Sequence, residues 1–479
     1  MPKEENIGIT VKKSEDMPEW YSQVCQKAEL ADYAPVKGCM VIRPNGYAVW
    51  QKIQDYFNER LKRLNVRNAY FPLFIPESFF KKEAEHAEGF KLEVAWLDKD
   101  VTKEGERLAV RPTSETIIYD SYSRWVRSHR DLPLRINQWC NIVRWEAAQT
   151  KLFLRSREFL WQEGHCVYET EKECHKETIK ILKEYKKLAE DLLSIPVIIG
   201  KKTEKEKFAG AKATYTIESF MPDGKALQCG TSHDLGQGFA KSFNIKFIGK
   251  DEKEHIAWQN SWGFSTRLIG GLVMTHSDDK GLVLPPDVAE TKVVIIPILF
   301  ENTKDKVIEK AKQIGKQLKS LNAIYDTREE YTPGWKYSEW EMKGIPLRIE
   351  VGPRDLEKNQ VIIVRRDTGE KITCPETEIK NKVKQILNQM QEDMLNKARS
   401  FLKESIMETS DWDAFESMIK ARKIVLAPHC GEAGCEDMIK DKTEGASTRC
   451  IPLDNSKAEG KCIHCDKKAK YKVYFSKSY

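Results

Sequence analysis

Between Tyr47 and Leu64 the apolar residues Val49, Trp50, Ile53, Tyr56, Phe57, Leu61 and Leu64 recur at helical spacing, with Lys, Glu and Arg between them. The pattern predicts an amphipathic helix of about five turns. The next segment, Asn68 to Pro76 ("NAYFPLFIP"), reads as a strand that stops at a proline. From Ile142 the period changes to two, so a strand there carries Arg144 and Glu146 on one face. A polar loop with Gln149, Thr150 and Lys151 follows, and Arg155, Arg157, Phe159 and Trp161 again alternate. Strand, loop and returning strand predict an antiparallel hairpin, with guanidiniums, a carboxylate and large aromatic rings on its common face. Lys172 to Leu193 is a second amphipathic helix. After Pro285, Pro286 and Asp287, which read as a linker, strands and helices alternate. "KVVIIPILF" is a buried strand, Lys304 to Leu321 a helix, "AIYDTRE" a strand, Tyr337 to Lys343 helical, "PLRIEVG" a strand and "NQVIIVRRDTGEKITC" a hairpin. This order predicts a compact α/β domain. Helices follow at Glu378 to Glu404 and Trp412 to Lys423.

Composition narrows the class. A chain of 479 residues holds two to four domains with substantial cores. The formal charge of +6 permits a nucleic-acid partner without demanding one. No apolar run nears the roughly 20 residues of a membrane span, and the opening "MPKEENIGIT" lacks the apolar core of a signal peptide. Most of the twelve cysteines are expected to be reduced thiols. A cytoplasmic enzyme is expected.

Several clusters carry chemistry. Arginine suits planar, multidentate contact with phosphate or carboxylate, and an aromatic ring offers a purine a stacking surface. In "RPTSE", Thr113 or Ser114 with Glu115 predicts a cap for a helix beginning near Thr116. In "LQCGTSH", small residues let a ligand approach the backbone. Thr231 and His233 share a strand face there, and Gln228 joins them only through a bulge or bend near Gly230. Trp258 to Trp262 reads as a strand, with Ser265 and Thr266 capping a helix whose first turn holds Arg267. Near the end, Cys430 and Cys435, then Cys462 and Cys465, form two close pairs at the spacing of a tetrahedral four-cysteine zinc site. Cys450 and His464 are spare candidates. Redox chemistry at Cys462 and Cys465 is the alternative, but it leaves the first pair unexplained.

Arg144-Trp145-Glu146, a loop, then Arg155-x-x-x-Phe159 resembles the second signature motif of class II aminoacyl-tRNA synthetases. Together with "RPTSE" and "WQEGH" (Trp161 to His165) it is similar to the prolyl-tRNA synthetases, and the likeness extends over nearly the whole chain. The resemblance implies an α/β (α+β) fold in which helices flank an antiparallel catalytic sheet. It places a catalytic domain at 1–286, an anticodon-binding domain at 287–378 and a C-terminal zinc-binding domain at 379–479. Motif 1 falls at about 47–76, motif 2 at about 141–165 and motif 3 at about 256–275. The span between motifs 2 and 3 has no room for a large inserted editing domain, as in the archaeal and eukaryotic type.

The resemblance also implies ligation of L-proline to tRNA(Pro) with ATP and Mg2+ by a homodimer joined through motif 1. Thr113 and Glu115 would accept the imino group, while Trp161, Glu163, His165 and His233 would wall the proline pocket. Arg144 would bridge the α-phosphate and the carboxylate. Glu146 and Phe159 would hold adenine; Arg155, Ser265 and Arg267 the polyphosphate; and Gln228 and Thr231 ATP or its magnesium. Arg144 and Arg267 would be the catalytic pair. Phe90 and Glu93 would cover the mouth, Glu341, Arg348 and Arg354 would read the anticodon, and the Tyr479 carboxylate would reach toward the active site. Two rivals stand beside this expectation. One is a class II ligase for threonine, serine, histidine or glycine. The other is a non-catalytic RNA-binding paralogue, which usually lacks a motif arginine.

Overall fold

Seven strands from the first two-thirds of the chain and one from near residue 451 form an eight-stranded sheet. A computed structural model describes residues 8–84, 94–97, 105–145, 150–454 and 458–479. In chain order the strands are β1 (Arg67–Asn68), β2 (Leu134–Val143), β3 (Glu158–Tyr168), β4 (Ile198–Lys201), β5 (Ala213–Phe220), β6 (Ala226–Gly236), β7 (Trp258–Ser265) and β8 (Ile451–Pro452). Their spatial order is β8-β4-β5-β6-β7-β3-β2-β1. All pairings are antiparallel except that of β1 with β2.

The hairpin expected around Arg144 exists and is longer than the motif. Its ladder runs from Leu134↔Val167 to Val143↔Glu158. Helix α1 (Pro44–Arg63) buries Val49, Trp50, Ile53, Phe57 and Leu61, the stripe that its spacing foretold. Trp50 and Phe57 meet the sheet edge-on, with ring centroids 5.5 Å from Trp139 and 5.2 Å from Phe264 respectively. Such aromatic pairs add to the burial of their area. Helix α2 (Glu115–Trp125) follows "RPTS". Helix α3 (Glu171–Lys187) starts at a Thr170 cap and ends in a π-type turn at Leu188–Leu192, short of the unbroken helix expected to Leu193. Helix α4 (Arg267–His276) leaves the end of β7.

One expected strand is two. "NAYFPLFIP" splits into β1 at the sheet edge and Phe74–Pro76, which pairs with Leu108–Val110. Pro72 lies between them and has no N–H for a ladder.

The alternating segment forms a five-stranded sheet ordered Ile324–Tyr325, Val293–Pro297, Leu347–Val351, Gln360–Arg365, Lys371–Pro375. The helix expected at Tyr337 starts earlier, at Pro333, because Thr332 accepts the Trp335 N–H at 3.3 Å and Pro333 fits the first turn. The buried Arg366 guanidinium grips Asp278, just past α4, with both nitrogens (2.8 and 2.7 Å). A 27-residue helix, α5 (Ile379–Ser405), then leads to a four-stranded sheet. From there β8 returns to the catalytic sheet and pairs with β4.

Gly164 on β3 lies opposite Trp262 on β7. An added Cβ would come within 2.2 Å of the buried indole. Gly164→Ala should therefore destabilise the fold by about 1–3 kcal/mol. A lowered denaturant midpoint at unchanged slope is the expected result; a wild-type midpoint would contradict it.

Candidate active site

The sheet's concave face holds a cavity of about 260 Å³. At one end Thr113 donates to the Glu115 carboxylate, and both side chains are buried. Ser114 occupies the cap position of α2 but makes no capping bond. Its hydroxyl turns into the sheet and donates to Glu163. A short polar residue before a helix signals a cap, yet here a buried carboxylate takes its proton.

Glu163 and His165 lie two apart on β3 and face the same cavity. Glu163 also accepts from Gln138 Nε2 at 2.9 Å and from His165 Nε2 at 2.9 Å. Tyr119 meets His165 Nδ1 at 3.1 Å, and Tyr122 donates to the His165 carbonyl at 2.8 Å. Burial pushes the Glu163 carboxyl up, but the bonds from His165, Ser114 and Gln138 outweigh it and leave it below the ordinary carboxylate value. Burial pulls His165 down, and its bond to Glu163 reverses that, leaving it raised. His233 has no carboxylate partner. It bonds Thr214 at 2.9 Å and lies against Phe208, 4.8 Å between ring centroids. Burial, helped by the neighbouring His165, lowers it to about 3.

β6 supplies the floor. Its pairing with β5 jumps from Gln228↔Glu218 to Gly230↔Ile217, the bulge that the parity of Gln228 required. Gln228, Thr231 and His233 consequently all line the cavity.

Two guanidiniums face the other end. Arg144 is fixed by its backbone N–H to the Arg157 carbonyl (2.7 Å) and by Nε to Pro112 O (3.3 Å). Its guanidinium carbon lies 5.7 and 5.6 Å from the Phe159 and Trp161 rings. Arg267 donates Nε to Leu154 O at 3.2 Å, and its amide donates to Ser265 Oγ at 3.2 Å. Burial and the like charge of Arg144 lower its pKa. Two cations on one cavity wall, both held by carbonyls, form a site for an anion.

The expected hairpin face is divided. Phe159 and Trp161 line the cavity, whereas Arg155 and Arg157 do not. Residues 151–155 form a tight turn, Lys151 and Arg155 exchanging bonds of 2.7 and 2.9 Å, with Leu152, Phe153 and Leu154 buried and Arg155 exposed. Arg157 stacks on Trp145 at 4.6 Å and donates to Lys37 O. Regular alternation starts only at Glu158, so the spacing of the two arginines carried no face information. Glu146, Phe90 and Glu93 lie outside the described residues. Lys202, Glu206, Phe208 and Thr214 also line the cavity. They come from a charged turn and the strand after it, where no local pattern marks them.

In the C-terminal segment Sγ–Sγ distances are 3.5 Å for Cys430 and Cys465 and 3.7 Å for Cys435 and Cys462. Four thiolates at ~2.3 Å from one tetrahedral zinc stand ~3.8 Å apart, so each pair is compatible with that ion, although the four-residue cluster that could hold a metal contains His429 with Cys430, Cys435 and Cys462 and not Cys465. His429, not anticipated, lies within 4.8 Å of three of these sulfurs. His464 Nδ1 is 3.6 Å from Cys435 Sγ. Cys450 is no spare ligand: it is buried against Gly200 of the catalytic sheet.

In the five-stranded domain Arg348 bonds Glu341 (2.8 Å) and Glu350 (3.0 Å) and lies 4.1 Å over the Tyr337 ring, while Arg354 is exposed. The Tyr479 hydroxyl donates to Asp223 at 2.7 Å, and its amide approaches Ala226 O, at the start of β6.

Residues 90–276 match the family described as tRNA synthetase class II core domain (G, H, P, S and T), and 292–386 match the anticodon binding domain. With the sheet and cavity above, these define a class II aminoacyl-tRNA synthetase. Residues 412–479 match the family described as prolyl-tRNA synthetase, C-terminal. The chain is 47% identical to the proline–tRNA ligase of Natranaerobius thermophilus over 484 residues, covering 99% of each. It is 48% identical to that of Alkaliphilus oremlandii over 467 residues, covering 97% and 96%. It superposes on prolyl-tRNA synthetase of Cryptosporidium parvum, covering 99% of this chain and 98% of that one. The TM-score is 0.93 at 44% identity for the complex with halofuginone and AMPPNP, and 0.94 at 43% for the complex with L-proline and AMP. The chain belongs to the proline–tRNA ligase family.

The Glu163–His165 pair sets a pH dependence. Protonated His165 stabilises the fold fully below its ordinary value of 6.5, and that contribution is lost as pH rises through its raised folded value. The Glu163 contribution is present above 4.5 and is lost as pH falls through its depressed value. An NMR titration should place the His165 midpoint above 6.5 in the wild type. In Glu163→Gln, where burial outweighs the remaining Glu115 charge, it should fall below 6.5. Equal midpoints would contradict the pairing.

Proposed function

We propose that the two ends of the cavity divide proline from ATP, and that Arg144 serves both. The enzyme is a proline–tRNA ligase: it activates L-proline with ATP to prolyl-adenylate, releases pyrophosphate and transfers proline to the 3′ end of tRNA(Pro). The observation that carries the assignment is the convergence of Thr113, Glu115, Arg144 and Arg267 on one cavity.

The cyclic secondary ammonium of proline has two donors and a positive charge. Glu115 and the Thr113 oxygen accept both. Trp161, His165 and His233 close the space around the ring, and Glu163 keeps His165 in place. Phe159 stacks on adenine, with Glu146 at its amino group. Ser265 and Arg267 hold the distal phosphates, and Arg155, exposed and outside the cavity lining, would reach the γ-phosphate from the opposite face. The carboxylate oxygen of proline attacks the α-phosphorus, and the bond to the pyrophosphate oxygen breaks. No side chain acts as nucleophile. Arg144 bridges the two anions and offsets the charge that builds between them. Magnesium, carried on the phosphate oxygens beside Gln228 and Thr231, would neutralise the polyphosphate.

Cys430, Cys435, Cys462 and Cys465 would hold zinc as a structural tie. Glu341, Arg348 and Arg354 would read anticodon guanines, arginine matching guanine O6 and N7. Family precedent supports a homodimer through α1 and the strands after it, and a cytoplasmic site of action. Among the described residues no helix is long and apolar enough to cross a membrane.

Proline-dependent pyrophosphate exchange should fall about 10²- to 10³-fold in Arg144→Ala, and threonine, serine, histidine and glycine should not support exchange. Wild-type exchange in the variant would overturn the assignment. Metal analysis should find zinc in the purified chain. Cys435→Ser should lose it and unfold at lower temperature; full zinc retention would contradict the ligand set.

A further inference from the structure

Glu218 is buried in the middle of β5, directly opposite Gln228 at the bulge. One of its oxygens accepts from Lys202 Nζ at 2.8 Å and Thr216 Oγ1 at 2.9 Å. Among the described residues the other accepts only from Arg449, through Nε at 3.2 Å and Nη2 at 2.8 Å. Lys202 lines the cavity, whereas Arg449 belongs to the C-terminal segment, just before β8. Both cations are nearly inaccessible, their side chains 3% and 8% exposed. Burial alone would push the Glu218 carboxyl up, but Arg449 and Lys202 together hold it at about 2.

The neighbouring contacts run along the same seam. Thr203, next to Lys202, donates to Glu436, which also accepts from Thr448. β8 pairs with Gly200 and Lys201, and Gly200 has no room for a Cβ beneath Cys450. Residues 200–203, which run into the cavity wall, are thus covered continuously by 448–452. Glu218 and Arg449 also lie close enough to Arg267 to act on its charge.

We propose that Arg449 is a positioning residue for the nucleotide end of the active site, supplied by the C-terminal segment. It fixes Glu218, and Glu218 fixes Lys202 and the bulge that presents Gln228. The geometry has a simple physical basis. A buried carboxylate with both oxygens engaged cannot rotate, whereas one stripped of partners on one oxygen turns toward its remaining cation. Lys202 would then leave its place at the wall, and the Gln228 bulge would lose its backing. The inference rests on the assignment of Gln228 and Arg267 to ATP.

Pyrophosphate exchange on the full-length enzyme tests it, with KM measured separately for ATP and for proline. Arg449→Met should raise the ATP KM about tenfold with a smaller change in proline KM, as expected for lost ground-state positioning. Glu218→Gln with Arg449→Met should raise the ATP KM by less than the product of the two single effects, because Arg449 acts through Glu218. Arg449→Lys, with one donor group in place of a fork, should lie between. A merely structural role would lower the unfolding temperature and leave both KM values unchanged, and that result overturns the proposal. If Arg449→Met does not fold, Arg449→Lys decides, and a wild-type ATP KM there overturns it. Arg267→Ala is the control for the underlying assignment: an unchanged ATP KM in that variant refutes the nucleotide assignment itself, whereas a raised one there with none in the Arg449 variants refutes only the inference.

Discussion

Two like charges held in one cavity are the constraint on which this candidate site depends. Arg144 follows the end of β2 and Arg267 opens α4, and each is pinned by a backbone carbonyl, Pro112 O for one and Leu154 O for the other. Left to relax, two guanidiniums would turn apart into water. The β2–β3 ribbon and the start of α4 prevent that, and the repulsion becomes affinity for whatever anion enters between them. A rigid sheet suits this task because its backbone is fully committed to ladder bonds before any ligand arrives.

The opposite end meets a different requirement. Proline is small and offers few handles, so selectivity falls to the shape of the wall and to polar groups left unpaired by a wrong ligand. Glu163 is the centre of that wall. It gathers Ser114, Gln138 and His165 from α2's entry, β2 and β3. Each of those side chains is thereby locked by one shared partner that itself lines the cavity. Burial lowers His233, which has no carboxylate partner among the described residues, to about 3, whereas the bond to Glu163 raises His165, so the two histidines present different chemistry to the same pocket.

What was legible in the sequence was what is local. The stripe of α1, the hairpin, the bulge demanded by the parity of Gln228 and the paired cysteines depend on spacing within a few residues, and spacing survives folding. Three expectations failed where one local signal met a competing one. Pro72 cut a strand that its apolar content favoured. Ser114 looked like a cap but answered a buried carboxylate 49 residues away. Arg155 and Arg157 shared the parity of Phe159 but lie before the strand begins at Glu158, one closing a turn and the other in a bend, where parity has no meaning. His429 and Lys202 were invisible for another reason: only tertiary contacts bring them to their clusters, and nothing in their neighbourhoods marks them.

The return of β8 to the catalytic sheet has a consequence for biosynthesis. Strand β4 has β5 on one side and, on the other, residues that emerge some 250 positions later, Ile451 and Pro452. A nascent chain that has already assembled the remaining strands must carry β4 as a bare margin until residues 451–452 emerge. Unpaired margins invite pairing with other chains, and contacts so distant in sequence form slowly. Emergence of the segment at 451–452, rather than of the candidate site residues, is therefore the moment at which the β4 margin is covered.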